Sequence, residues 1–313
     1  MSTHARGDVR GAGALRPPAR AGGRPGGPGL LARHQGPLFV TPALLAMAAL
    51  ILYPLLYTVW LSFTSERGAF IGLENFDEVL SDRITTLALR NTVVYVGFSV
   101  LFQVLIGTAA AILLNRQFRG RGFVRSVVLV PWVVPAIVAA TTWAWMLHTE
   151  FGIVNYILVS AGAIEAPVGW LTNRDTVMPS LIAVNVWKMF PFVALMVLAG
   201  LQSIPDTLYE AARVDGANLW QEIRFVMLPQ LRLVLISVSL ILTIWGFNGI
   251  TIIYAMTRGG PANRTLITPI QIFRQAFEFV RFNEAAALSV LLFGFLAVLT
   301  AIYLRVFRST QED

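Results

Sequence analysis

Long apolar runs separated by short polar stretches dominate this chain. The runs fall at about Leu38–Phe63, Asn91–Leu114, Val124–Leu147, Val177–Leu201, Leu231–Tyr254 and Glu284–Phe307. About 20 apolar residues in a helix cross about 30 Å of hydrocarbon. A helix also satisfies its own backbone hydrogen bonds in lipid. The pattern therefore predicts an all-α, polytopic membrane bundle of six transmembrane helices occupying residues 38–308. Pro42, Pro54, Pro131, Pro135, Pro179 and Pro191 fall within or at the ends of these runs. Neighbouring helices and polar side chains rescue carbonyls freed by proline, so these positions predict kinks rather than breaks.

Composition agrees with this reading. The 313 residues are 56% hydrophobic and only 13% charged, and the mean hydropathy is +0.67. No cysteine is present, which excludes disulfides, thiolate metal sites and cysteine nucleophiles. The three histidines are His4, His34 and His148, too scattered for a multi-histidine metal centre. His148 and Glu150 read as a solvated polar pair in a loop. No carboxylate pair or nucleophile with a base suggests catalysis. A net charge of +7 invites a nucleic-acid reading. However, the arginines flank apolar runs and form no basic face with interleaved aromatics.

Residues 1–37 are rich in Gly, Pro, Ala and Arg, without apolar periodicity. They read as a disordered tail that cannot bury enough surface to offset its ordering entropy. The first run is too long for a signal-peptide core and is read as a retained span. Six spans put both termini on one side. That side collects the tail arginines, Arg116, Arg119, Arg121 and Arg125, then Arg213, Arg224 and Arg232, and finally Arg305 and Arg308. The other side collects Glu66, Glu74, Asp77, Glu78, Asp82, Glu150, Glu165, Asp175 and Glu278. Basic residues concentrate on the cytoplasmic side, so both termini, including the short 309–313 tail, are expected there.

Between the fourth and fifth runs lies a polar island, about 202–230. Pro205-Asp206 opens a short helix, since proline fits a first turn and an acid suits a helix N-terminus. Asp215-Gly216 supplies a turn. Leu219, Trp220, Ile223, Phe225 and Val226 outline a second amphipathic helix, and Pro229 is read as a break before the fifth span. The expected result is a helix–turn–helix at the membrane surface. The spelling Glu210-Ala211-Ala212, then Gly216 after three residues and Pro229 after twelve more, resembles the EAA loop of binding-protein-dependent ABC importer permeases. Asp215-Gly216-Ala217 and Leu228-Pro229 fit the same pattern.

The resemblance extends over about 38–307. Trp187 through Pro205, Thr257-Arg258-Gly259-Gly260-Pro261-Ala262-Asn263, Leu73-Glu74-Asn75-Phe76 and Arg90-Asn91-Thr92 look like the carbohydrate, maltose-type branch of the family. The large inserted domain of the enterobacterial maltose subunit is missing. The resemblance implies a transport subunit that moves a sugar, an oligosaccharide or glycoside, by alternating access across a bacterial inner membrane. Glycerol phosphate or a polyol is the related alternative. A stand-alone carrier or a membrane-embedded enzyme is the alternative of another class. The implied partners are a second related permease, two ATPase subunits, an extracytoplasmic substrate-binding protein and membrane lipid, with no nucleic acid. In the family the loop seats in the ATPase. Glu210 would supply polar contacts that fix its short helix, Ala211 and Ala212 would allow close approach, and Gly216 would permit the turn. No G-x-x-x-x-G-K-[ST] loop occurs, so no cofactor is expected on this chain, and ATP and Mg would be used by the partner ATPase.

Ionisable and polar groups within the spans are candidates for the substrate pathway. Lys188, the chain's one lysine, has Asn185 nearby in the fourth run. Lys188 either donates to substrate or an acid, or snorkels into a structural network near the bend expected at Pro191. Phe247, Asn248 and Tyr254 are the candidates of the fifth run, with Trp245 as a further sugar-stacking face. Gln103 reads as a link between helices. Trp143, Trp145, Tyr53 and Tyr57 read as interfacial aromatics.

Overall fold

The computed structural model describes residues 40–312, with side chains to Ser309, so the 1–37 tail lies outside the described residues. The chain divides into two units, Met1–Pro54 and Leu55–Asp313. Helix α1 (Val40–Ser62) is followed by α2 (Glu74–Ser81) and α3 (Arg83–Asn115). Then come α4 (Arg121–Val133), α5 (Ala136–Met146), α6 (Ile153–Ser160) and α7 (Val177–Gln202). After these stand α8 (Asp206–Val214), α9 (Leu219–Asn248), α10 (Thr251–Thr257), α11 (Thr268–Phe273) and α12 (Phe282–Glu312). Among the described residues the only strand-like pairing is an isolated bridge between Thr64 and Phe70.

Five helices, α1, α3, α7, α9 and α12, are long and apolar enough to cross a membrane, and α4 with α5 makes up to a sixth span. The fold is thus an all-α polytopic membrane bundle. Three local expectations need correction. The third span is not a kinked single helix: α4 and α5 meet at a 93° bend at Val134-Pro135. Pro135 has no N–H for the Pro131 carbonyl, so the ladder opens there. The fifth span ends at Asn248 rather than Tyr254, and Tyr254 belongs to the separate α10. Pro229 does not interrupt the chain before that span. Helix α9 runs through it, because a π-helical segment at Glu222–Met227 widens the turn where the prolyl ring would strike the preceding carbonyl. At the other end of the chain, α12 carries the expected 309–313 tail onward as helix to Glu312.

Helix α7 lies at the centre. Over half of its most apolar window, 56%, is buried, against 22–33% for α3, α9 and α12. Its main neighbour is α3. Gly107 of α3 makes the close approach possible: a Cβ there would lie 2.5 Å from Val193 Cβ and 2.9 Å from the Phe190 carbonyl oxygen. One apolar cluster, including Val193, Val197, Leu201, Leu231 and Leu242, fills the end of the bundle nearer α8. A second, including Tyr95, Leu181, Ile253 and Ile270, fills the opposite end.

Side-chain amides tie down that opposite end. Asn75 Nδ2 donates to the Ser62 and Thr64 carbonyls, both at 2.9 Å. Asn283 Nδ2 donates to the same Thr64 carbonyl at 2.6 Å. Asn91 Nδ2 donates to the carbonyls of Asn263 and Leu266 at 3.0 Å, and so fastens the Gly259-Gly260-Pro261 turn to α3. Helix α11 follows that turn.

Gly107→Val is expected to force α3 and α7 apart. Overpacking of this kind costs about 1–3 kcal/mol. Thermal unfolding of purified protein should show a clear loss relative to the parent, and an unchanged midpoint would contradict the packing.

Candidate functional site

The polar island folds as a self-capped hairpin of helices. Helix α8 ends with Gly216 at φ 78°, while the Ala217 N–H reaches the Ala212 carbonyl at 2.9 Å and the Gly216 N–H reaches that of Arg213 at 3.0 Å. This is the paired C-terminal motif that favours glycine in the left-handed position. The next helix starts with a reciprocal cap: Gln221 N–H donates to Asn218 Oδ1 at 3.0 Å, and Asn218 N–H donates to Gln221 Oε1 at 2.7 Å. Arg213 Nε donates to Glu222 Oε1 at 3.2 Å and links the two helices.

Glu210, expected to fix the short helix, has no hydrogen bond or ion pair among the described residues, and it is exposed. Asn218, Arg213 and Glu222 perform that task instead. Ala211, Asp215 and Gly216 are exposed as well, and Ala212 and Ala217 are half-buried against the turn.

Among the described residues, one edge of the hairpin meets the bundle. Tyr209 and Ile223 pack on the cluster of Met227, Leu231 and Leu201. Leu228 is half-buried and Pro229 exposed, at the entry to the transmembrane part of α9. The Tyr209 hydroxyl is buried without a partner among the described residues. Burial raises its pKa above the ordinary value, and the Glu222 and Asp206 carboxylates act in the same direction. The rest of the hairpin turns apolar side chains outward: Val214 is 88% exposed, Phe225 68% and Trp220 67%.

The candidates within the spans divide. Asn185 and Lys188 share a cavity of about 240 Å³ with Ser99, Gln103, Ala136, Met189, Trp245, Gly246 and Gly249. Gln103 Nε2 donates to the Asn185 carbonyl at 3.3 Å, the link between α3 and α7 that the sequence suggested. Ser99 Oγ lines the cavity, buried and without a partner among the described residues. Beside it, Trp245 stands 5.1 Å from Phe192, and Phe192 stands 5.8 Å from Trp132.

Phe247, Asn248 and Tyr254 do not join this group. Phe247 lies 5.2 Å from Phe295 on another side of α9. Asn248 Nδ2 donates back to the Ile244 carbonyl at 2.7 Å. Tyr254 stands edge-on to Phe273. Lys188 Nζ points at backbone, with the Val134 carbonyl at 2.7 Å, that of Trp132 at 3.4 Å and that of Pro131 at 3.5 Å. Pattern reading passed over Ser99. Its spacing of four from Gln103 puts both on one face of α3, and that polar pair in an apolar run was the available signal.

A larger groove of about 820 Å³ runs along α3 and α7. Val94, Phe98, Phe102, Ile182 and Phe190 line it, with Arg90, Arg174 and Arg264 at one end. Along the helices its walls are apolar, so a hydroxyl-rich solute would lose hydrogen bonds there.

Comparison with known proteins places this architecture. Residues 103–310 match the family described as "Binding-protein-dependent transport system inner membrane component". The chain is 35% identical over 283 residues to the trehalose/maltose transport system permease protein MalF of Thermococcus litoralis, covering 88% of this chain and 95% of that one. It is 33% identical over 278 residues to the trehalose transport system permease protein SugA of Mycobacterium tuberculosis, covering 86% and 87%. Its fold matches a chain of a bacterial ABC transporter involved in alginate import, with a TM-score of 0.78, 23% identity, and 89% and 97% of the two chains covered. The chain belongs to the binding-protein-dependent transport family and is a multi-pass permease subunit of an ABC importer. Such a subunit is a transport component and has no ATPase site of its own, which sets aside the stand-alone carrier and the membrane enzyme.

Asn218→Ala removes the reciprocal cap, a loss of about 1 kcal/mol. Hydrogen exchange at the Gln221 and Glu222 amides, which donate to the Asn218 side chain and carbonyl, is expected to quicken about fivefold, with the unfolding midpoint of the bundle unchanged. Unaltered exchange at those amides would show that the cap does not hold the hairpin.

Proposed function

We propose that the α8 hairpin is the surface through which this permease takes up the work of a separate ATPase, and that the solute moved is a sugar, an oligosaccharide or glycoside. The observation that carries the first part is the hairpin's construction. It is held by its own caps and an ion pair, yet Val214, Trp220 and Phe225 face outward. An exposed apolar patch on a rigid polar scaffold marks an interaction site. Glu210 on α8 is exposed and has no hydrogen bond or ion pair among the described residues, so it is available to a partner. ATP and Mg are then consumed on two ATPase subunits, with this chain's termini and hairpin on the cytoplasmic side.

The substrate reading rests on the small cavity. Gln103, Asn185 and the unpartnered Ser99 hydroxyl offer hydrogen bonds, and Trp245, 46% exposed, offers an aromatic face. That combination suits a ring with hydroxyls on its edges and C–H bonds on its faces. The names of the trehalose/maltose and trehalose permeases support a sugar over glycerol phosphate or a polyol. At about 240 Å³ the cavity is smaller than the roughly 300–1,000 Å³ of complete ligand pockets. A second, related permease facing Trp245 would complete it, with solute delivered by an extracytoplasmic binding protein.

Gly216 separates the two parts of the proposal. A Cβ at Gly216 meets nothing within 4 Å among the described residues, so Gly216→Val adds torsional strain, about 1–2 kcal/mol. Gly216→Val and Glu210→Lys are expected to reduce ATP-dependent uptake of a radiolabelled disaccharide while membrane levels stay normal. Wild-type uptake by both variants would refute the coupling role. Asn185→Leu is expected to raise KM for the sugar with the hairpin intact. An unchanged KM would remove Asn185 from the pathway.

A further inference from the structure

The break between α4 and α5 leaves backbone acceptors inside the bundle. Pro135 cannot donate to the Pro131 carbonyl, and the 93° turn carries the carbonyls of Trp132 and Val134 out of helical register. Carbonyls at a helix C-terminus also carry the negative end of the helix dipole. One cation answers all of this. Lys188 is 8% exposed, and its Nζ stands 2.7 Å from the Val134 oxygen, 3.4 Å from that of Trp132 and 3.5 Å from that of Pro131.

An ammonium has three protons to donate, and here three carbonyls surround it. The Val134 carbonyl is the close partner and those of Trp132 and Pro131 lie at the outer limit of hydrogen bonding, so the ammonium is turned to the break. The lysine is mounted on α7, the most buried helix of the bundle, so the break is fastened to the least yielding element. What it fastens forms part of the cavity wall. Ala136, the first residue of α5, lines the cavity. Trp132, in the last turn of α4, contacts Phe192, which leans on Trp245.

We propose that Lys188 is a positioning residue: it holds the break in the third span and thereby sets the shape of the solute cavity without touching the solute. The proposal rests on the reading of that cavity as the pathway. Its geometric part holds or fails independently of transport.

The test uses the full chain in its assembled transporter. The chain has no cysteine, so Val127→Cys on α4 and Trp145→Cys on α5, both exposed, accept a pair of spin labels. Pulsed EPR then reads the bend as a distance distribution. The expected result is one narrow distribution in the parent, a clearly broadened one in Lys188→Met, and a narrow one again in Lys188→Arg, whose guanidinium supplies donors to the same carbonyls. Uptake should follow the same order, with KM for the sugar unchanged in Lys188→Arg. An unchanged distribution in Lys188→Met would overturn the proposal. So would a raised KM in both variants with the bend intact, which is the signature of direct solute contact.

If Lys188→Met does not accumulate, the native chain still decides. Lys188 is its only lysine. Acylation by an amine-directed reagent, followed by peptide mapping, should be far slower at Lys188 in the assembled protein than in detergent-denatured chain. Equal rates would show that the amine is not held by the break.

Discussion

A carbonyl inside a bilayer has no water to accept from, so every interruption of a helix there has to be repaired by the protein itself. The repairs differ with the geometry of each interruption. Before Pro54 and Pro229 the helix widens into π-turns at Ala48–Leu52 and Glu222–Met227 and continues. The end of α3 is met by Arg125, whose Nη2 donates to the Leu114 carbonyl at 3.1 Å. The break at Pro135 is the largest, and a buried ammonium meets it. The positions of α5, the cavity wall and the aromatic contacts from Trp132 to Trp245 depend on how that break is held.

The α8 hairpin stands in the opposite physical situation. Its helix ends lie outside the spans and are closed by local caps at Gly216 and Asn218, so its shape owes little to the bundle. Its single anchored edge, through Tyr209 and Ile223, packs on the cluster that also holds the start of the transmembrane part of α9. Because α9 is continuous from Leu219 to Asn248, the second helix of the hairpin and the cavity residue Trp245 belong to one helix. A proline break at 229 would have uncoupled the two.

The membrane class and the positions of the long helices were legible because apolar run length is a strong, local signal. The EAA spelling located the hairpin for the same reason. What the sequence concealed depended on contacts. Pro135 and Pro191 look alike in the chain, yet α7 passes through Pro191 intact while the third span turns at Pro135. Trp245 and Phe247 are two residues apart and therefore about 200° apart around a helix, so one joins the cavity and the other meets Phe295. Asn185 and Lys188, three apart, share a face and were found together. Glu210 was expected to brace the hairpin, but local capping by Asn218 already does so and leaves the glutamate free.

The most direct measurement is mild-detergent purification through this chain, followed by native mass spectrometry and reconstitution into vesicles. The account predicts a complex in which this chain is joined by a related permease and two ATPase subunits, with sugar uptake only when ATP and a binding protein are supplied. A stable, monodisperse preparation of this chain alone that carries sugar across vesicles without ATP would contradict it.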